Sequence, residues 1–144
     1  MDRKITDSQE AFLDACAERG YDPAKVLPDV SAMPEWLARY NTAANKRLII
    51  AEWINGGRVP KYGETMYFPY WDKDPSGLGF SDSFYVYWYT LTITYVGARL
   101  EFFSRKDANY FGSNFMDLHA DVLLYRSGDV VSKTSATETA EGGE

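Results

Sequence analysis

The first third of the chain carries apolar side chains at helical spacing, which predicts two helices. Thr6 or Asp7 can cap the first helix, and Gly20 is well placed to end it. Phe12 and Cys16 share one side of this helix with smaller residues. So short an apolar stripe predicts a helix that docks on a larger core.

A second, longer helix follows a turn-rich connector at residues 21–33. Pro34 is tolerated in a first helical turn, and Gly56 marks the end of the helical pattern about 22 residues later. The second half of this helix is apolar on nearly all sides, which predicts burial on more than one side. The buried stripe is expected to consist of Leu37, Tyr40, Ala44, Leu48 and Ala51.

In the middle of the chain the apolar period becomes two, which predicts strands. The segment at residues 66–71 is extended, but Pro69 confines it to a sheet edge or a rim loop. The composition of residues 72–77 predicts a turn. Residues 84–95 alternate, and they form either one long strand or two arms with a bend or hairpin near residues 90–94.

A last strand at residues 98–103 precedes a helix that Ser104 can cap. Apolar residues recur along this helix at spacings of three and four, at Ala108, Phe111, Phe115, Leu118 and Val122. Residues 127–144 carry four acidic side chains against one lysine, which predicts a disordered acidic tail. The sequence thus predicts a single α+β domain at residues 1–126, with N-terminal helices and a C-terminal helix packed on a small antiparallel sheet.

Composition and charge narrow the functional classes. The 144 residues are 45% hydrophobic, enough for one sizeable core, and a formal net charge of −6 argues against indiscriminate binding to nucleic acid or anionic lipid. No export signal is expected at the start of the chain, and no stretch approaches the roughly 20 apolar residues of a membrane span. A single cysteine, Cys16, excludes an internal disulfide. We therefore expect a reduced, cytoplasmic protein that does not bind membranes.

Several blocks of residues stand in a recognisable order along the chain. They are Leu48-Ile49-Ile50-Ala51-Glu52 with Asn55-Gly56-Gly57, then Tyr67-Phe68-Pro69-Tyr70-Trp71, and then Val96-Gly97-Ala98-Arg99-Leu100-Glu101-Phe102 with Ser104 and the helix at residues 108–118. In this order the blocks resemble a family of small uncharacterised proteins encoded in Bacteroidales genomes, prophages and phages. The resemblance covers residues 20–125 and implies a phage or mobile-element context in the cytoplasm of the host cell. It implies no activity, cofactor or catalytic residue, and the acidic tail lies outside it.

Residues suited to catalysis are few. His119 is the single histidine, and it lies beside the apolar stripe of the last predicted helix without a partner visible in the sequence. Cys16 is expected to be a buried and therefore inert thiol. The aspartates at residues 72–82 lack the spacing of a calcium loop, and no glycines form a phosphate-binding pattern. We predict no enzyme activity, no metal site and no cofactor.

A basic cluster is the first candidate binding site. From residue 39 to residue 61, five basic side chains stand against one acidic side chain, a local net charge of +4. The basic residues are Arg39, Lys46, Arg47, Arg58 and Lys61. They form either a solvated helix face or an anion site for nucleic acid, a nucleotide or an acidic partner.

An aromatic cluster is the second candidate, because 17 of the 23 aromatic residues fall between residues 62 and 115. The candidate residues are Tyr67, Tyr70, Trp71, Tyr85, Tyr87, Trp88 and Tyr89. They form either core and oligomer contacts or a platform on which bases stack. The leading hypothesis is a non-enzymatic accessory protein that binds a protein partner through this aromatic sheet face, most simply as a homodimer. The alternative is a protein that binds single-stranded nucleic acid or a nucleotide-like anion.

Overall fold

The computed structural model describes residues 4–61, 63–75, 77–87 and 98–124. These residues form four α-helices, a two-stranded antiparallel sheet and one 3₁₀ turn. In chain order they are α1 (Ser8–Arg19), α2 (Glu35–Ile54), β1 (Thr65–Asp74), β2 (Gly77–Tyr87), the 3₁₀ turn (Ala98–Leu100), α3 (Arg105–Ser113) and α4 (Met116–Leu123). The predicted α+β fold is confirmed, with two helices before the sheet and helices after it.

Both ends of α1 are capped as the sequence predicts. The carboxylate of Asp7 accepts a hydrogen bond from the backbone N–H of Glu10 at 2.9 Å, which satisfies one of the free donors of the first turn. Gly20 has a φ of 77°, a left-handed conformation that glycine adopts without strain, and it ends the helix. The buried residues of α1 are Ser8, Ala11, Phe12, Ala15 and Cys16.

The buried side of α2 differs from the predicted stripe. Tyr40 and Leu48, which were expected to be buried, are exposed. Ala51 is buried as predicted, and the other buried residues are Ala43, Arg47, Ile50, Trp53 and Ile54, on the side where α1 and α4 pack. The prediction for Tyr40 and Leu48 was wrong because it treated Arg47 as a surface residue, whereas its side chain lies inside the core.

The sheet is a hairpin of β1 and β2. Its register runs from Thr65 opposite Tyr87 to Asp74 opposite Gly77. Both strands extend into the segment predicted as a turn at residues 72–77, so the connection is shorter than expected. Such short connections are typical of hairpins, because they match the twist of the paired strands.

The predicted strand at residues 98–103 is a 3₁₀ turn followed by one bridge. Tyr67 and Phe102 exchange two backbone hydrogen bonds of 2.7 Å, so the chain at Phe102 touches the edge of β1 at a single position. A half-exposed strand would show every second side chain to solvent. Leu100, Glu101 and Phe102 are all buried instead, which the alternation of residue types did not indicate.

The single C-terminal helix of the prediction is divided into α3 and α4. Ser104 caps α3 as expected, since its hydroxyl accepts the N–H of Asp107 at 3.1 Å. The helix then stops because Phe115 takes a left-handed conformation, with φ of 61°, after the weak helix formers Ser113 and Asn114. The expected apolar stripe still reaches the core through Phe111, Phe115 and Leu118.

Close packing of α3 on the hairpin depends on one glycine. A Cβ atom on Gly112 would lie 2.5 Å from the ring of Phe80 and 2.7 Å from Pro69, so a side chain at this position would clash with both strands.

The predicted strand at residues 84–95 is described as far as residue 87. Its remainder and the predicted tail at residues 127–144 lie outside the described residues.

Candidate functional site

Two aromatic side chains of the hairpin, Tyr70 and Phe84, form a partly exposed surface, which we call the hairpin aromatic surface. Phe84 is 50% exposed and Tyr85 is 58% exposed. The rings of Tyr70 and Phe84 stack with centroids 4.5 Å apart and planes 5° from parallel. Because successive strand residues point to opposite faces, Tyr85 lies on the other face of the hairpin and is not part of this surface.

Trp71 and Tyr67, which the sequence placed in the same aromatic cluster, turn towards the core. The indole N–H of Trp71 donates to the backbone carbonyl of Gly112 at 2.8 Å. Tyr67 is half-buried, is bridged to Phe102, and has the guanidinium of Arg105 5.4 Å from its ring centre. These two rings therefore stabilise the packing of α3 on the sheet. The side chain of Tyr87 is not described, and Trp88 and Tyr89 lie outside the described residues.

The sequence analysis did not select Phe84, the half-exposed ring that stacks on Tyr70. It lies in the opposite row of the alternating segment from the tyrosines that were chosen. The register brings it opposite Phe68 and near Tyr70, and this pairing decides which rings meet. Only the strand register, which one sequence alone does not fix, would have identified it.

Arg47, His119 and Trp71 form a cluster of polar and aromatic groups in the interior. The Nε–H of Arg47 donates to Nδ1 of His119 at 3.1 Å, and Nε2 of His119 lies 2.8 Å from the carbonyl oxygen of Phe111. The guanidinium lies 5.4 Å from the ring centre of Trp71, and the rings of Trp71 and His119 are 4.6 Å apart. Among the described residues, no carboxylate lies within 4 Å of Arg47.

The hydrogen bonds of this cluster fix the protonation of His119. Nδ1 must be an acceptor for Arg47, and Nε2 must carry the proton that bonds to Phe111, so the imidazole is neutral. Complete burial, reinforced by the neighbouring charge of Arg47, lowers the pKa of His119 to about 3. Burial also lowers the pKa of Arg47 to about 10, so it stays charged at neutral pH. A histidine that does not titrate near neutrality is unsuited to general acid–base catalysis.

The basic residues singled out in the sequence have different local partners. Arg47 is buried, and Arg39 pairs with Asp121 at 3.1 Å. Lys46 donates to Gln9 at 3.0 Å. Arg58 pairs with Glu64 at 3.2 Å, and the backbone N–H of Lys61 donates to the same carboxylate at 2.9 Å. Most of the predicted anion site is therefore engaged in separate local contacts.

Cys16 is fully buried in α1, and burial raises the pKa of its thiol, so it is a poor nucleophile. No group of three or more potential metal ligands occurs within the described ranges. In the part of the chain that the structure describes, no helix combines the length and the apolar character needed to cross a bilayer.

Comparison of the chain with protein-family models, curated proteins and solved structures found no match.

Proposed function

We propose that this protein is a non-enzymatic binding protein that forms a homodimer through the hairpin aromatic surface. It would act as an accessory protein of a phage or mobile element in the host cytoplasm, as the sequence resemblance implies. The observation that carries the proposal is the stacked pair of Tyr70 and Phe84, whose outer ring is half-exposed. Exposed aromatic rings held rigidly by a neighbour are characteristic of protein interfaces.

Burial of these rings would supply useful binding free energy. The exposed half of an aromatic side chain amounts to roughly 100 Å², which corresponds to about 2–3 kcal/mol when it is removed from water. A two-fold symmetric contact uses each ring twice, once from each subunit. The Tyr70–Phe84 stack loses little rotamer freedom on binding, because its geometry is already set in the monomer.

A second copy of the chain is the partner best suited to this surface. The net charge of −6 opposes association in general, but charges of both signs surround the hairpin. Asp72 and Lys73 are adjacent and exposed, and Asp82 lies 3.8 Å from Arg105. A surface with mixed charges can face its own copy without net repulsion.

Analytical ultracentrifugation over a range of concentrations tests the proposal. We expect a concentration-dependent dimer, and Phe84→Ala should weaken it at least about a hundredfold, because one substitution removes a ring from both subunits. Trp36→Ala is the matched control, since Trp36 is 60% exposed on α2, away from the hairpin in sequence. A monomer at every concentration, or equal effects of the two substitutions, would show that the surface is not a dimer interface.

Single-stranded nucleic acid is the second candidate partner, favoured by one observation. Arg105 lies 5.4 Å from the ring centre of Tyr67, and Tyr85, opposite Tyr67 on β2, is 58% exposed, so a cation lies near an exposed ring of the kind on which bases stack. A fluorescence titration with an oligonucleotide at low salt distinguishes the candidates. We expect no quenching from a dimer-forming protein, whereas salt-sensitive quenching that Arg105→Ala weakens would favour nucleic acid.

A further inference from the structure

The C-terminal end of α2 contains the sequence pair Asn55-Gly56, which is chemically reactive. Of the five asparagines of the chain, Asn55 is the one that precedes a glycine. An asparagine deamidates when the backbone nitrogen of the next residue attacks its side-chain carbonyl carbon. Glycine favours this attack because it has no Cβ atom and the widest backbone freedom. The pair is therefore a candidate site of spontaneous covalent modification.

In the folded protein both reacting groups are held in hydrogen bonds. The N–H of Gly56 donates to the carbonyl of Trp53 at 3.0 Å, and Nδ2 of Asn55 donates to the backbone carbonyl of Glu101 at 2.9 Å. Asn55 also has helical backbone angles, with φ of −79° and ψ of −2°. The Gly56 nitrogen must lose its proton before it attacks, and a hydrogen-bonded N–H loses its proton only after the bond opens. The native turn is thus closed to the reaction.

The turn that follows α2 depends on two glycines in left-handed conformations. Gly56 has a φ of 62° and Gly57 a φ of 73°. The N–H of Gly57 donates to the carbonyl of Glu52 at 3.0 Å, and the N–H of Arg58 donates to the carbonyl of Asn55 at 3.1 Å. These bonds satisfy the last carbonyls of the helix. Since they lie at a helix end and Gly56 is exposed, the turn can open without unfolding the core.

We propose that Asn55 is a modification site that the fold keeps closed and that opening of this turn releases. In the open turn the Gly56 nitrogen gives its proton to water and forms a bond to Cγ of Asn55. The bond from Cγ to Nδ2 then breaks, and ammonia leaves. Water opens the resulting succinimide ring at one of its two carbonyl groups, which yields aspartate or isoaspartate. The inference is independent of dimer formation, because it uses no residue of the hairpin aromatic surface.

The modified chain cannot rebuild the same turn. Aspartate replaces the donor Nδ2 by an oxygen that faces the carbonyl oxygen of Glu101, so a hydrogen bond becomes a repulsive contact between two acceptors. Oδ1 of Asn55 is already buried without a partner among the described residues, so the new charge lacks a donor there. Isoaspartate adds a carbon to the backbone and moves the N–H groups of Gly56 and Gly57 out of register. The reaction therefore proceeds in one direction.

Peptide mapping by mass spectrometry tests the site. The full-length protein is incubated at mildly alkaline pH in buffer and in guanidinium chloride, and conversion is measured as the mass gain when OH replaces NH₂. In denaturant we expect Asn55 to convert at least about tenfold faster than Asn41 and Asn45, which precede threonine and lysine. In buffer we expect Asn55 to convert at least about tenfold more slowly than in denaturant. Equal rates for Asn55 in the two solutions, or no preference over Asn41 in denaturant, overturn the proposal.

Hydrogen exchange of the Gly56 amide measures the same opening in the wild-type chain. Exchange and attack on Asn55 both require the Gly56 nitrogen to lose its proton in the open turn. The factor by which folding slows deamidation should therefore match the protection factor of this amide within about threefold. Much less slowing would show that attack occurs in the closed turn. Much more slowing would show that opening of the turn does not release Asn55, and either result overturns the proposal.

Gly57→Ala tests whether local opening controls the reaction, with Gly20→Ala at the end of α1 as the matched control. The φ values of 73° and 77° strain an alanine similarly at the two positions. We expect Gly57→Ala to speed the deamidation of Asn55 in buffer about tenfold, and Gly20→Ala to leave it within about threefold of the wild type. Equal rates in the two variants would contradict control by this turn. The exchange measurement decides the question where an alanine variant does not fold.

Asn55→Asp tests the consequence of the reaction, with Asn55→Ala as the control at the same position. Both variants lose the donor to Glu101, but only aspartate places a charged oxygen against that carbonyl. We expect Asn55→Asp to melt at least about 3 °C below Asn55→Ala. Protein deamidated in denaturant and then refolded should melt lower than fresh protein taken through the same steps. Equal melting temperatures in either comparison would show that the product fits the turn, which overturns the one-way reaction.

Discussion

Acidification should destabilise this protein through His119, well before most carboxylates titrate. The imidazole is completely buried between Arg47 and the carbonyl of Phe111, and its pKa lies near 3 instead of the ordinary value of about 6.5. In the unfolded chain the same residue regains its ordinary pKa. The native state therefore excludes a proton that the unfolded state accepts.

The sign and size of the effect follow from this difference. A folded pKa below the unfolded value contributes stability that is complete above about pH 6.5 and is lost as the pH falls towards about 3. The loss is about 1.4 kcal/mol per pH unit in this interval, so roughly 3 kcal/mol should be lost by about pH 4. That is a large part of the stability of an ordinary domain.

Urea unfolding at a series of pH values measures this contribution, with His119→Gln as the reference. Glutamine does not titrate, and its amide can accept from Arg47 and donate to Phe111. Both proteins should lose stability as carboxylates protonate, but the wild type should lose about 3 kcal/mol more between about pH 6.5 and 4. Parallel stability curves for the two proteins would refute the assignment of a neutral, non-titrating His119.

Two further predictions test the packing of the helices after the sheet. Gly112→Ala should destabilise the protein by about 1–3 kcal/mol through its clash with Phe80 and Pro69, although this change ordinarily stabilises a helix by about 1 kcal/mol. A higher urea midpoint for this variant would contradict the packing of α3 on the hairpin. Phe115→Ala should cost about 3–5 kcal/mol, because the ring is buried between α3 and α4 against Tyr110 and Phe111. Unchanged unfolding in urea would show that this ring is not part of the core.

The helices were predictable where the sequence carries local signals. Asp7 and Gly20 bound α1, Ser104 begins α3, and Pro34 precedes α2, each through a mechanism that depends on a few neighbouring residues. The break at Phe115 had no such signal. A bulky residue in a left-handed conformation is held there by its burial, and burial depends on the whole fold.

The candidate sites were less predictable, because they depend on which side chains share a face. The aromatic cluster of the sequence separates into Trp71, which bonds to α3, and Tyr70, which stacks on Phe84 near solvent. The pairing register of the two strands decides which of these rings packs on α3 and which lies near solvent. The charge of Arg47 predicts an exposed side chain, but Arg47 lies on the buried face of α2, where the neutral ring of His119 accepts its hydrogen bond.

Two kinds of buried polar group in this fold lead to different conclusions. The Arg47–His119 pair is satisfied within the core, so it is explained by packing and hydrogen bonding and needs no ligand. Glu101 lies between the buried apolar residues Leu100 and Phe102, where an apolar side chain would be accommodated without an unpaired charge. Oε1 of Glu101 has no hydrogen-bond partner among the described residues, so the group lowers the stability of the fold at that position, and burial raises the pKa of its carboxyl group.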